Sequence, residues 1–426
     1  MKTIQINENI KLNYINMTKL KTTSVGIYIH RPLTKTNASY DTLLAAVLKS
    51  ASRLYPSRED IASSLDNLYG ATMGSTVLKM GEDHIIYFDA ETISDKYTPN
   101  GEKLLSELLR LLMSVVFEPK VCDGAFDEKI VEQERQGVLD RIDAFINDKR
   151  QYASSRCQEE TARGTDFAIM RYGEKATISQ ITPKSLYEYY KSIITSSVID
   201  IYVCGDADIN TAVSAVTDYV SELNFEKAEV TKTQIIDRDV TEVNNVTEAM
   251  DVTQGKLAMG YITGIKPDDD DYYALVVFNS VFGAGAHSKL FNNVREKLSL
   301  AYYASSQLEK FKGMLIVNAG IEFQNFEKAR DEVMLQLEEI KQGNISEHEF
   351  TSSINAIVNT CNSYFDDQRA LATYYLSESI TATNRTLDEY ISEIKKVTVE
   401  DVANVAKKLK LDTVYFLTGK GAENND

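Results

Sequence analysis

Ile181-Thr-Pro-Lys-Ser-Leu-Tyr-Glu-Tyr-Tyr190, with Ile199-Asp-Ile-Tyr-Val-Cys-Gly205 behind it, reads as a capped helix running into a buried strand. A second copy stands near the other end of the chain: Val397-Thr-Val-Glu-Asp-Val-Ala-Asn-Val-Ala406, then Thr413-Val-Tyr-Phe-Leu-Thr-Gly419. In each copy a threonine is placed to accept from the free N–H groups of a helix's first turn, and in the second an acidic residue follows close behind. Each strand is β-branched and aromatic and ends at glycine. Earlier pieces repeat in the same order. Val25–Ile29 corresponds to Ala258–Ile262, the helical run Leu43–Lys49 to Leu275–Ser280, and the strand pair within 76–88 to the one within 306–319. Several matches at a nearly constant offset are the mark of an internal duplication.

The duplication predicts an α+β protein of two halves, each a sheet of antiparallel strands packed by helices on one face. The first half spans 1–224 and the second 247–426. Residues 225–246, rich in Glu, Lys, Thr, Asp and Asn and without glycine, read as the linker. Helical periodicity is clearest over 101–116, 126–145 and 325–342. Met1 to Asn16 alternates polar and apolar residues and reads as a strand.

Composition narrows the function. The chain of 426 residues carries 63 acidic against 46 basic residues, a net charge of −17. Such a field repels phosphate backbones and anionic lipid, which argues against nucleic-acid or membrane-surface partners; a basic or neutral peptide is better tolerated. No run approaches the roughly 20 apolar residues that cross a bilayer, and the N-terminus lacks the apolar core of a signal peptide. The four cysteines (Cys122, Cys157, Cys204, Cys361) form no CxxC and no close pair, which suits a reducing, cytoplasmic setting.

One stretch carries a family resemblance: Phe282-Gly-Ala-Gly-Ala-His-Ser-Lys-Leu-Phe-Asn-Asn-Val-Arg-Glu-Lys-Leu-Ser-Leu-Ala-Tyr-Tyr303. A glycine-rich turn, then Leu-Phe, then Arg-Glu-Lys-x-x-Leu-Ala-Tyr resembles the M16 zinc metallopeptidases, the pitrilysin-like and mitochondrial-processing-type enzymes. The resemblance extends over nearly the whole chain, including the two halves. It implies for catalytic members an inverted motif, His-x-x-Glu-His, on a helix of the first half, plus a distant glutamate ligand. Two histidines one turn apart share a helix face, and the glutamate between them acts as base on zinc-bound water.

Here the matching helix is Asp41-Thr-Leu-Leu-Ala-Ala-Val-Leu-Lys-Ser-Ala-Ser52. The histidine positions fall at Thr42 and Ala46, the base at Ala45 and the distant ligand near Arg141; the related upstream acid, Glu134, is kept. Methyl groups offer no lone pair and a guanidinium repels a metal, so the reading is that this chain binds no zinc. The only histidines, His30, His84, His287 and His348, make no His-x-x-x-His.

The resemblance gives Arg295 and Tyr302 the substrate-binding roles. Arg would grip a peptide carbonyl and Tyr would donate to the oxygen on which charge develops. The plainer alternative pairs Arg295 with a nearby carboxylate and half-buries Tyr302 in a core, with Tyr303 on the opposite strand face. His287 reads as an exposed loop histidine, and Asp268 to Asp271 as the start of a helix near Tyr272. Glu132, Glu134, Asp140 and Asp143 read as a solvated helix face, the alternative being a chamber wall that attracts basic peptide. The expectation for the whole is a non-catalytic, peptide-binding subunit that completes the site of a His-x-x-Glu-His-bearing M16 partner holding the zinc. The alternatives are an inactive homologue serving as scaffold or peptide-binding protein, and, for the isolated chain, a homodimer. An independent enzyme with another site has no visible residues to support it.

Overall fold

The computed structural model describes residues 1–228 and 231–420. Residues 229 and 230, inside the stretch read as a linker, lie outside the described residues, as do 421–426. The chain forms two compact units, and each draws segments from distant parts of the sequence. The first comprises Met1–Asp143, Ile169–Lys232 and Tyr364–Ser377; the second comprises Ala144–Ala168, Thr233–Ser363 and Glu378–Asp426.

In chain order the elements begin with strands β1 (Lys2–Gln5), β2 (Ile10–Asn16) and β3 (Thr22–Pro32) and helices α1 (Lys35–Ser50) and α2 (Arg58–Asn67). The hairpin β4 (Thr72–Met80) and β5 (Asp83–Ile93) leads to α3 (Leu104–Phe117). A short hairpin, β6 (Val121–Cys122) and β7 (Ala125–Phe126), precedes α4 (Glu128–Asn147) and α5 (Lys149–Thr161). Then come α6 (Lys175–Gln180), α7 (Pro183–Ile194), β8 (Ile199–Gly205) and α8 (Ile209–Val220). The later part holds β9 (Asn244–Met250), β10 (Gly255–Ile262), α9 (Tyr272–Phe282), a π-helix (Leu290–Lys297), β11 (Ala301–Glu309) and β12 (Met314–Ile321). It closes with α10 (Phe326–Lys341), α11 (Glu347–Ser363), α12 (Gln368–Ile380), α13 (Leu387–Ile394), α14 (Val399–Ala406) and β13 (Lys410–Gly419).

The duplication is complete at the level of topology. The first unit's sheet runs β1-β2-β8-β3-β5-β4 and the second's β11-β12-β10-β13-β9. Without β1, and with the second sheet read from its other edge, the two orders coincide. Both are antiparallel except for one parallel pair at the same place, β2 with β8 and β9 with β13. The repeated helix–strand signature therefore supplies β8 and β13, the strands that carry the parallel pairing. Their helices are capped as the threonines predict: Thr182 Oγ1 accepts from Ser185 N at 3.0 Å and Thr398 Oγ1 from Asp401 N at 3.2 Å.

Local chemistry explains where the boundaries differ from the periodicity. Met1 to Asn16 is two strands, because Asn7 Oδ1 accepts from the N–H of both Asn9 and Ile10 at 2.9 Å and turns the chain. Gly101, at φ +77, breaks the helix expected from 101, so α3 starts at Leu104. Asp127 Oδ1 accepts from Lys129 N at 3.0 Å and starts α4 two residues after Phe126. Strand β9 begins at Asn244, within the stretch read as linker.

In the second unit one face of the sheet packs on α9, the π-helix, α10 and α14 through Phe278, Leu290, Val294, Val333 and Val402. The other face is covered by α5, whose Ala153 and Cys157 meet Ala258, Ile316, Tyr415 and Leu417. In the first unit, Gln368 of α12 donates to Thr22 O at 2.7 Å and Arg369 pairs with Asp89 of β5 at 2.8 Å. Among the described residues no helix is long and apolar enough to cross a membrane.

Candidate functional site

Arg295 and Tyr302 lie in the second unit, on two consecutive irregular elements. Arg295 is on the π-helix, closed by Leu298 N donating to Asn293 O five residues back; π-turns are costly and gather where function requires them. The helix is fastened by buried Leu290 and Val294, by Asn293 Nδ2 donating to Gln336 Oε1 at 2.7 Å, and by a Lys289–Glu349 pair at 3.1 Å. Its outer side is left to Arg295, whose guanidinium lies 4.7 Å from the Phe291 ring centre. Its one carboxylate neighbour among the described residues, Glu296, is 3.5 Å away.

Between helix and strand Ser299 takes φ +51, a left-handed conformation that a non-glycine residue holds only when its surroundings enforce it. Strand β11 then starts with a bulge. Ala301 pairs with Ile321 and Tyr303 with Gly320, so Tyr302 has no partner of its own. It is 61% exposed and its hydroxyl reaches Glu322 Oε1 at 3.4 Å. Tyr302 is therefore no core residue. Tyr303 behaves differently: its ring lies on Gly320, under the Arg150 guanidinium at 4.1 Å, and burial pushes its phenol up to about 12. A side chain at Gly320 would collide with that ring.

In the first unit α1 carries Thr42, Ala45 and Ala46, which the resemblance aligns with the zinc motif. Thr42 is buried and donates back to Ala38 O at 2.7 Å, while Ala45 and Ala46 are buried methyls. The kept acid Glu134 is also engaged. Its Oε1 accepts from the Arg58 guanidinium and from Ser50 Oγ, and Arg58 Nε also reaches Ser50 Oγ at 3.2 Å. Arg141 is exposed on α4. Two methyls, a satisfied hydroxyl, a guanidinium and a carboxylate already bound to a cation do not fit a zinc ion. Among the described residues no group of three or more His, Cys, Asp or Glu could hold a metal.

A family model described as Peptidase M16 inactive domain matches residues 180–357. The probable inactive metalloprotease YmfF of Bacillus subtilis (strain 168) is 37% identical over 404 residues, covering 94% of each chain. The chain belongs to the M16 peptidase family. An uncharacterized zinc protease of the same organism, YmxG, is 22% identical over 74% of this M16 chain and 76% of its own length. Among solved structures, a conserved protein from Enterococcus faecalis V583 matches with TM-score 0.89 at 30% identity, covering 100% of this chain and 99% of that one.

Two expectations for this M16 chain are corrected. Glu134 does not belong to the solvated face of Glu132, Asp140 and Asp143: it is 8% exposed and turned toward Arg58. His287 is half-buried, its Nε2 3.1 Å from Ser280 Oγ, because the loop folds back on α9; burial and then the charge of His348 hold its pKa below the ordinary value. A buried polar group on α1 had no sequence signal. Asp41 accepts from Tyr189 OH at 2.7 Å and lies 2.8 Å from His84 Nδ1, while His84 Nε2 faces Arg171 O at 2.8 Å. The partners come from β5 and α7 and the loop before α6, and nothing in their spacing links them.

Proposed function

We propose that this chain is the non-catalytic, substrate-binding subunit of a two-chain M16 zinc peptidase. A His-x-x-Glu-His-bearing partner supplies the zinc and the general base; this chain supplies Arg295 and Tyr302. The observation that carries the reading is Tyr302 itself, an exposed phenol held out on a bulge beside a fastened π-helix, in a chain whose own metal positions cannot take zinc. A phenol donating to a carbonyl oxygen is worth more as that oxygen gains charge, so it aids the reaction and not merely binding. Four cysteines without a disulfide suit a cytoplasmic setting; Cys157 and Cys204 are buried, and burial pushes both thiols up to about 12.

The test is reconstitution with the His-x-x-Glu-His chain and a fluorogenic peptide. Tyr302→Phe should lower turnover on the order of 100-fold with co-purification unchanged. Unchanged turnover would remove Tyr302 from the site and favour the alternative, an inactive M16 homologue serving as scaffold or peptide-binding protein. That alternative draws on the contacts Arg295 and Tyr302 already make with Phe291 and Glu322.

A further inference from the structure

Of the positions that the resemblance assigns to zinc, three are neutral and the fourth, Arg141, carries a positive charge; Lys49 adds a second, one turn beyond Ala46 on α1. Thr42, Ala46 and Lys49 follow one another along one stripe of α1, and Glu134, Val138 and Arg141 along one stripe of α4. Ser50 and Glu134 hydrogen-bond between these helices, and Arg58 of α2 closes the group through both. Lys49 is the neighbour of Ser50 in the sequence, and Arg141 lies two turns along α4 beyond Glu134. Burial, and then the charges of Arg141 and Arg58, hold the Lys49 pKa below the ordinary value. The only acid within the group, Glu134, is spent on Arg58. Asp89, the next acid acting on Lys49, is paired with Arg369 at 2.8 Å. Among the described residues neither Lys49 nor Arg141 has an ion-pair or hydrogen-bond partner.

A half-buried lysine beside two guanidiniums, in a chain of net charge −17, runs against both solvation and the overall charge. Gly137 lies between Glu134 and Arg141 in the sequence of α4, and a Cβ built on it meets nothing within 4 Å. Mid-helix glycine costs roughly 1 kcal/mol relative to alanine, and no close backbone approach requires it here.

We propose that this face of α1 and α4 is an anion site that takes the carboxylate of a peptide, with Lys49 and Arg141 as its free cations beside Arg58. A polyphosphate or nucleic acid would be repelled by the rest of the molecule. A single carboxylate on an otherwise neutral or basic peptide would not, and a guanidinium is shaped to hold it. The inference deepens the substrate-binding reading, on which it rests for the peptide, and it concerns the isolated chain, whereas the Tyr302 experiment needs the partner.

The full chain, immobilised, is offered three pools of random decapeptides of equal complexity: free C-terminus without Asp or Glu, amidated C-terminus with Glu, and amidated C-terminus without Asp or Glu. Retention is read by mass spectrometry. At least fivefold enrichment of the first or second pool over the third is expected, assigning the site to the terminal or the side-chain carboxylate respectively. The preference should fall to about onefold in Lys49→Gln/Arg141→Gln, with the melting temperature showing the variant folded. Equal retention of all three pools, no retention, or a preference surviving in the folded variant would overturn the proposal. Loss here with an intact Tyr302 effect would leave the subunit reading standing; the converse would leave this one standing.

Discussion

His30 stands on β3 between carboxylates from the two strands flanking it. Nδ1 is 2.9 Å from Asp83 Oδ2, and Nε2 is 3.2 Å from Asp200 Oδ2, near in distance though off-axis for a hydrogen bond. Burial alone would disfavour the imidazolium, but Asp200 and Asp83 outweigh it and push the pKa up to about 9. A pKa raised on folding means stability that is complete below the ordinary histidine value of about 6.5 and lost as pH rises through about 9. The expected loss between pH 6 and 9.5 is on the order of 2–3 kcal/mol. Urea midpoints measured across that interval should fall more steeply for the natural chain than for His30→Gln; parallel curves would show the pair of acids does not hold the charge. Nothing in the sequence announces this. His30, Asp83 and Asp200 are far apart along the chain, and only the β5-β3-β8 order brings them together. Arg295 and Tyr302 could be singled out because six of the eight positions from Arg295 to Tyr302 match a family pattern.

At the scale of elements, helix and strand types followed from periodicity and capping, because those signals are local. Pairing partners and covering helices depend on distant segments. α5 covers the second sheet although it precedes the linker, and it approaches so closely that a Cβ on Gly260 would overlap Thr161 Oγ1. Thr161 cannot step aside easily: it is buried and its hydroxyl donates to Cys157 O at 2.7 Å. Gly260→Ala should therefore destabilise the protein by about 1–3 kcal/mol through overpacking, although alanine ordinarily suits a strand no worse than glycine. A chemical-denaturation midpoint equal to that of the natural chain would show that α5 can lift without cost. The π-helix was likewise out of reach. Its pattern of buried Leu290 and Val294 fits an ordinary helix equally well, and the widened turn shows only in the bond from Leu298 N to Asn293 O.

For the molecule as a whole, the proposed binding of a peptide divides between net charge and local charge. The charge of −17 acts at long range and is screened over about 8 Å at physiological ionic strength, so it governs encounter. Lys49 and Arg141 act at contact and so govern how long a carboxylate stays. The two effects separate kinetically for a lysine-rich peptide with a free C-terminus. In stopped-flow mixing, raising salt from 50 to 500 mM should slow association roughly tenfold for the natural chain and for Lys49→Gln/Arg141→Gln alike. The double variant should speed dissociation at least fivefold at both salt concentrations. An association rate indifferent to salt would show that the acidic surface does not steer the peptide. A double variant that altered association alone would place its two cations in the encounter field and not in a site.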